Sequence, residues 1–197
     1  MRVCSGIGRV LLRMFTRADV VGFDNVPPDG PVLFAANHTH VVDGPLLFAA
    51  VTRPAVFFVK AEAFIGPLGP FLRWLGQIPV RRDVVERAPL LTALEVLASG
   101  GAVGIFPEGS RGEGTVAEVR HGIAYLAVRS GAPVVPVACI GTAAILHRRS
   151  IRRPRVRIVF GTPVSVAAGR ASRSAIAGAA EQIRVAMADL VRGSSDV

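Results

Sequence analysis

Lysine is almost absent from this 197-residue chain: Lys60 is the single lysine among 23 basic residues. Arginine therefore carries nearly all of the positive charge behind a formal net charge of +9. Cysteine is also scarce. Cys4 and Cys139 lie far apart and in different contexts, with no C-x-x-C spacing for metal or redox work. Reduced thiols and a cytoplasmic location are the expectation. Four scattered histidines complete no metal-ligand set with those cysteines. Hydrophobic residues make up 51% of the chain and the mean hydropathy is +0.47. Even so, no run approaches the roughly 18 uncharged apolar residues of a membrane-spanning helix, because Arg, Gly, Pro or Asp interrupts every candidate. The chain is expected on or near a membrane surface and not through it. It has no repeat, no low-complexity tract and no linker, and its length suits one domain with a substantial core.

The N-terminal "MRVCSGIGRVLLRMFTR" is not a clean secretory signal, since Arg9 and Arg13 break its apolar region and no small-residue cleavage site follows. Val3, Ile7, Val10, Leu11 and Phe15 recur at helical spacing, so residues 1–19 are expected to form an amphipathic interfacial helix. The domain proper then spans 20–192, and 193–197 form a disordered tail. Arginine's fixed charge and planar fork suit phosphate, although a genome rich in G and C produces the same Arg, Ala, Gly and Val bias without function. Clustering is not explained that way: "HRRSIRRPRVR" (147–157) holds six arginines in eleven residues. Such a patch favours lipid headgroups or nucleic acid as partner; read structurally, it is a loop and an edge strand with Arg155 and Arg157 facing out and Val156 and Ile158 facing in.

Apolar strand-like runs alternate with helical patterns along the rest of the chain. Strands are predicted at 31–36, 55–59, 77–80, 102–106, 132–140 and 155–160. Helices are predicted at 43–52, with Asp43 at the N-cap, at 90–98, from Arg120 and His121 onward, and across Ile176, Ala180, Ile183, Met187 and Leu190. This alternation is an α/β domain, a mixed but mostly parallel sheet flanked by helices. "FIGPLGPFLRWLG" (64–76) carries the only Trp, and it reads either as packed on the sheet or as an interfacial segment.

Chemistry on such a sheet is expected in loops at strand ends. In "ANHTHVVDGPLLFAA" (35–49), His38 follows a strand and Asp43 lies five residues on. That spacing can bring a carboxylate to one imidazole nitrogen and make the ring a general base, with Asp43 setting its tautomer. Asp43 can also be a plain N-cap, and His40 rivals His38 for the role; spacing does not choose between them. Arg82 and Arg111 each follow a strand, a pattern suited to a phosphate or carboxylate. Lys60, in "FVKAEAF", either assists near such a phosphate or closes a strand, while Glu62 beside it reads as structural. "EGSRG" is not the nucleophile elbow, because Glu108 stands at the first glycine position. "GEGTVA" does not join a strand to a helix in a βαβ unit.

Four blocks in order, N-H-x-x-x-x-D (37–43), G-x-I-x-V-x-R (76–82), F-P-E-G-S-R (106–111) and V-V-P-V (134–137), resemble those of the glycerolipid acyltransferases typified by 1-acylglycerol-3-phosphate acyltransferase. The resemblance runs from about Val20 to about Pro163. It implies His38 as general base with Asp43 as its partner. It also implies an acceptor-phosphate site of Arg82, Glu108, Gly109, Ser110 and Arg111, with Lys60 and Arg120 as auxiliaries. Pro79 stands where many relatives carry a bulkier apolar residue, and Arg120 where a lysine is common. The implied reaction moves an acyl group from acyl-CoA or acyl-carrier protein to a lysophospholipid hydroxyl, with no metal and no cofactor beyond the donor. The foremost acceptor is 1-acylglycerol 3-phosphate, giving phosphatidic acid; other lysolipids, glycerol 3-phosphate or a glycolipid are alternatives. The implied setting is an anionic membrane surface on the cytoplasmic face, bound peripherally. A basic nucleic-acid-binding domain is the distant rival, but no nucleic-acid motif appears and the aromatics sit in apolar runs, so no nucleic-acid partner is expected.

Overall fold

The computed structural model describes residues 16–51, 53–81, 86–107, 116, 119, 121–146 and 154–195. In chain order the elements are β1 (Arg17–Val21), β2 (Val32–Ala36), α1 (Asp43–Ala50), β3 (Ala55–Lys60), α2 (Gly69–Trp74), β4 (Ile78–Val80), α3 (Ala88–Ala98) and β5 (Ala102–Ile105). Then come α4 (His121–Ser130), β6 (Val134–Ile140), α5 (Ala143–Leu146), β7 (Arg155–Phe160) and α6 (Arg173–Ser195). The strands form one sheet in the order β1-β7-β6-β2-β5-β3-β4. Strands β6, β2, β5, β3 and β4 run parallel, whereas β7 is antiparallel to β6 and carries β1 parallel to itself.

Continuous apolar strands follow from burial on both faces. In β2 every residue is buried: Leu33 and Ala35 point into a core with Leu97 of α3, Ile123 and Leu126 of α4, and Ile183 and Met187 of α6. Val32, Phe34 and Ala36 face the opposite layer, where Leu46, Leu47 and Ala50 of α1 meet Val135, Ile158 and Phe160. β7 alternates as the sequence predicts, with Val156 and Ile158 buried, Arg155 exposed and Arg157 half-buried.

The domain limits differ from the sequence reading at both ends. Residues 1–15 of the expected amphipathic helix lie outside the described residues, and Arg17, Ala18 and Asp19 belong to β1. Their short, half-polar run carries little strand signal by itself. It becomes a strand by pairing with β7, where Asp19 stands opposite Arg157 and their side chains meet at 3.0 Å. Gly22 makes this edge possible: at φ 79° it approaches Phe160 so closely that a Cβ would lie 2.1 Å from the Phe160 carbonyl oxygen. At the other end α6 continues through Gly193, Ser194 and Ser195, which the sequence reading set in a disordered tail. Ser194 is buried, so packing carries the helix past the glycine. Residues 196 and 197 of that tail lie outside the described residues.

Candidate active site

Parallel pairing gathers the C-terminal ends of β2, β3, β4, β5 and β6 along one edge of the sheet, and the polar residues follow those ends. β2 stops at Ala36 and α1 starts at Asp43; between them the chain makes a tight polar loop. Its shape is set by one carboxylate. Asp43 Oδ2 accepts hydrogen bonds from the backbone N–H of Thr39 (2.7 Å) and of His40 (2.6 Å), and lies 3.1 Å from His38 Nδ1. Asp43 is therefore not the N-cap that its spacing suggests. The N-cap is Val42, without a side-chain bond, and Asp43 is the first helical residue with its carboxylate turned back over the loop.

Asp43 is fully buried and His38 nearly so. Burial pushes the Asp43 carboxyl up, but hydrogen bonds from His38 and the His40 backbone, the nearby Thr142 hydroxyl and the Thr39 backbone N–H outweigh it and hold the group below the ordinary carboxylate range. An ionised carboxylate only accepts, so His38 Nδ1 carries the hydrogen and donates it. Nε2 then lies on the far side of the ring, in the arrangement of an imidazole general base. The Phe106 ring packs on the imidazole, with centroids 4.5 Å apart and planes 33° from parallel. His40 does not share this geometry: it contributes its backbone N–H, and its buried ring Nδ1 has no hydrogen-bond partner among the described residues.

Residues outside the sequence-derived set hold the loop from behind. The Asn37 side chain pairs reciprocally with the backbone of Cys139 on β6: the Cys139 N–H donates to Oδ1 at 2.7 Å, and Nδ2 donates to the Cys139 carbonyl at 3.2 Å. Burial and, after it, the Asp43 charge push the Cys139 thiol far up, so it stays neutral. Thr39 Oγ1 lies 3.1 Å from Thr142 Oγ1, just past β6. The N-H-x-x-x-x-D block took in Asn37; nothing in the sequence marked Thr39 or Thr142.

Lys60 ends β3 and forms an exposed ion pair with Glu62 at 3.0 Å, the kind of surface pair that contributes little. Arg81, directly after β4, is engaged by Glu86, Nη2 to Oε1 at 2.6 Å. Arg82, Glu108, Gly109, Ser110, Arg111 and Arg120 lie outside the described residues. Beside β3, the 64–76 segment does not pack wholly on the sheet: Phe64, Gly69 and Leu75 are buried, while Ile65, Leu68, Phe71 and Trp74 are 80%, 52%, 50% and 69% exposed. No helix among the described residues is long and apolar enough to cross a membrane.

The family model described as Acyltransferase matches residues 17–140, a span that holds the His38–Asp43 pair and the strands that frame it. The chain belongs to the acyltransferase family. Among its relatives in that family, a 1-acyl-sn-glycerol-3-phosphate acyltransferase of Chlamydomonas reinhardtii is 32% identical over 67% of this chain and 41% of its own length. The protein of that name from Bacillus subtilis is 26% identical over 83% of this chain and 81% of its own. The crystal structure of the 1-acyl-sn-glycerophosphate (LPA) acyltransferase PlsC from Thermotoga maritima superposes with a TM-score of 0.69 at 26% identity, covering 94% of this chain and 77% of that one. The chain spans less than half the length of the plant and algal relatives that it matches, 46%, 41% and 44%. The α/β architecture expected from the sequence is thus the one this family folds into.

Proposed function

We propose that this acyltransferase-family protein transfers a fatty acyl group from a thioester, acyl-CoA or acyl-carrier protein, to the free hydroxyl of a lysophospholipid, foremost 1-acylglycerol 3-phosphate, giving phosphatidic acid. The observation that carries this reading is the 3.1 Å approach of His38 Nδ1 to the ionised, buried Asp43 carboxylate at the C-terminal edge of a parallel sheet. The names of the relatives supply the substrate class.

In this reading His38 Nε2 takes the proton of the acceptor hydroxyl as its oxygen attacks the thioester carbonyl. The tetrahedral intermediate then collapses, the C–S bond breaks, and the leaving thiolate takes the proton back from the imidazolium. Asp43 holds the ring and offsets the charge that forms on it. Arg82 and the Glu108–Arg111 segment would hold the acceptor phosphate, and positioning of this kind accounts for much of a barrier reduction. The protons balance without any cofactor beyond the donor.

A lipid acceptor would put the reaction at a bilayer, where the exposed 64–76 side chains support peripheral, monotopic binding; the cytoplasmic face belongs to the same reading. Four large apolar side chains exposed within one short segment, two of them the stacked Phe71 and Trp74, suit the boundary between headgroups and acyl chains. The net charge of +9 favours anionic lipid.

Incubating the protein with acyl-CoA and a panel of lysophospholipids, glycerol 3-phosphate included, and weighing the products by mass spectrometry tests the reading. Phosphatidic acid from 1-acylglycerol 3-phosphate, with one thiol released per product, is expected. Thiol release with no acylated lipid would overturn it.

A further inference from the structure

The loop that carries His38 leans on β6 at two points, and the second is not explained by the fold alone. Gly141 turns the chain out of β6 at φ 76°, with its Cα so close to β7 that a Cβ would lie 2.5 Å from the Arg155 carbonyl oxygen. The next residue, Thr142, is thereby tucked under the loop at 1% exposure. Its Oγ1 lies 3.1 Å from Thr39 Oγ1, which in turn reaches Asp43 Oδ2 at 3.4 Å.

The grip on Asp43 is one-sided. The hydrogen bonds from His38, Thr39 and His40 all end on Oδ2, while Oδ1 is buried with no partner among the described residues. With nothing among the described residues holding Oδ1, the carboxylate can still rotate about its Cβ–Cγ bond, and that rotation takes Oδ2 away from His38 Nδ1. A neutral hydroxyl wedged beside the group opposes that motion without adding charge.

We propose that Thr142 is a positioning residue: through its hydroxyl pair with Thr39 it holds the Asp43 carboxylate in the orientation that serves His38. The proposal rests on the reading of His38 as general base. Among the described residues, the titratable groups that face Asp43 are His38 and His40 on its own loop and Cys139 from β6. The thiol stays neutral, and His40 offers its backbone. Thr142 is also one of the groups that keep the Asp43 carboxyl low, so its loss shifts that group upward.

The test compares Thr142→Val, which keeps the shape, with Thr142→Ser, which keeps the hydroxyl, using the full chain with 1-acylglycerol 3-phosphate and acyl-CoA. Thr142→Val is expected to lower kcat roughly 10- to 100-fold, the scale of a small misplacement, with both KM values nearly unchanged. Carbon-13 NMR of the Asp43 carboxyl should show its titration moved upward even without turnover. Thr142→Ser should restore most of the rate. Wild-type kcat and an unmoved carboxyl titration in the valine variant would overturn the proposal, as would a serine variant no better than valine. Should Thr142→Val not fold, Thr39→Val removes the same hydroxyl pair from the loop side, and wild-type kcat there would overturn it equally. His38→Ala run in parallel separates the two readings: activity retained in that variant removes the general base itself, whatever Thr142 does.

Discussion

Asp43 Oδ2 stands 3.1 Å from His38 Nδ1 and at the same time within 2.7 Å of the Thr39 and His40 backbone nitrogens. One oxygen thus folds the loop and orients the imidazole, so structure and chemistry at this point depend on the same group.

His38→Ala should lose about 10²- to 10⁴-fold in kcat, the usual contribution of a general base. His40→Ala keeps the backbone N–H that Asp43 uses and should retain most of the rate. Turnover numbers for both, measured on one preparation, check this; equal loss in the two would reject the choice of His38.

Asp43→Asn should impair both rate and stability. The ionised acceptor of two backbone N–H groups is removed, at about 1–3 kcal/mol, or roughly 2–4 °C of Tm per kcal/mol for a chain of this size. Folding lowers the Asp43 pKa below the ordinary aspartate value of 3.8. Its contribution is therefore complete above the unfolded value and fades as pH falls through the folded one. Thermal melts of both proteins should show a Tm gap that is constant near neutral pH and narrows below about pH 4. A gap that widens on acidification would contradict the assigned sign.

Changing Arg82 or Arg111 to Ala should reduce kcat/KM for the acceptor about 10- to 100-fold, as expected from losing a charge-assisted hydrogen bond, and leave the donor KM nearly unchanged. Lysine at either place should rescue only in part, because it keeps the charge and loses the fork. Initial rates against each substrate in turn decide it. A loss confined to the acyl donor would assign the arginines to that molecule instead.

Phe71→Ala with Trp74→Ala should weaken co-sedimentation with anionic vesicles roughly 10- to 100-fold, the effect of withdrawing two partly buried aromatic side chains from the interface. Melting should change little, since both side chains are exposed. Unaltered vesicle binding in the double variant would remove α2 from the membrane contact.

Most of the sheet and the pairing of His38 with Asp43 were legible in the sequence. The runs 31–36, 102–106 and 132–140 announce two-sided strands because apolar continuity is a local record of burial. His38 and Asp43 stand out because polar residues interrupt such a run where a strand hands over to a helix. Five residues also suffice for a loop to return a carboxylate to a ring, so that pairing was within reach of spacing alone.

The choice of histidine was not. His38 and His40 are equivalent by spacing, and they separate only once the loop folds and one ring turns toward Oδ2 while the other residue contributes its backbone. The same fold moved Asp43 from an N-cap to a group facing back along the chain. β1 became a strand only through β7, and of the 64–76 segment Phe64, Gly69 and Leu75 packed inward while Ile65, Leu68, Phe71 and Trp74 remained outside. Asn37 with Cys139 and Thr39 with Thr142 are joined across 102 and 103 residues. Contacts at such separation leave no periodicity or spacing to read, because the strand order that brings β6 beside β2 is set by how the whole core packs.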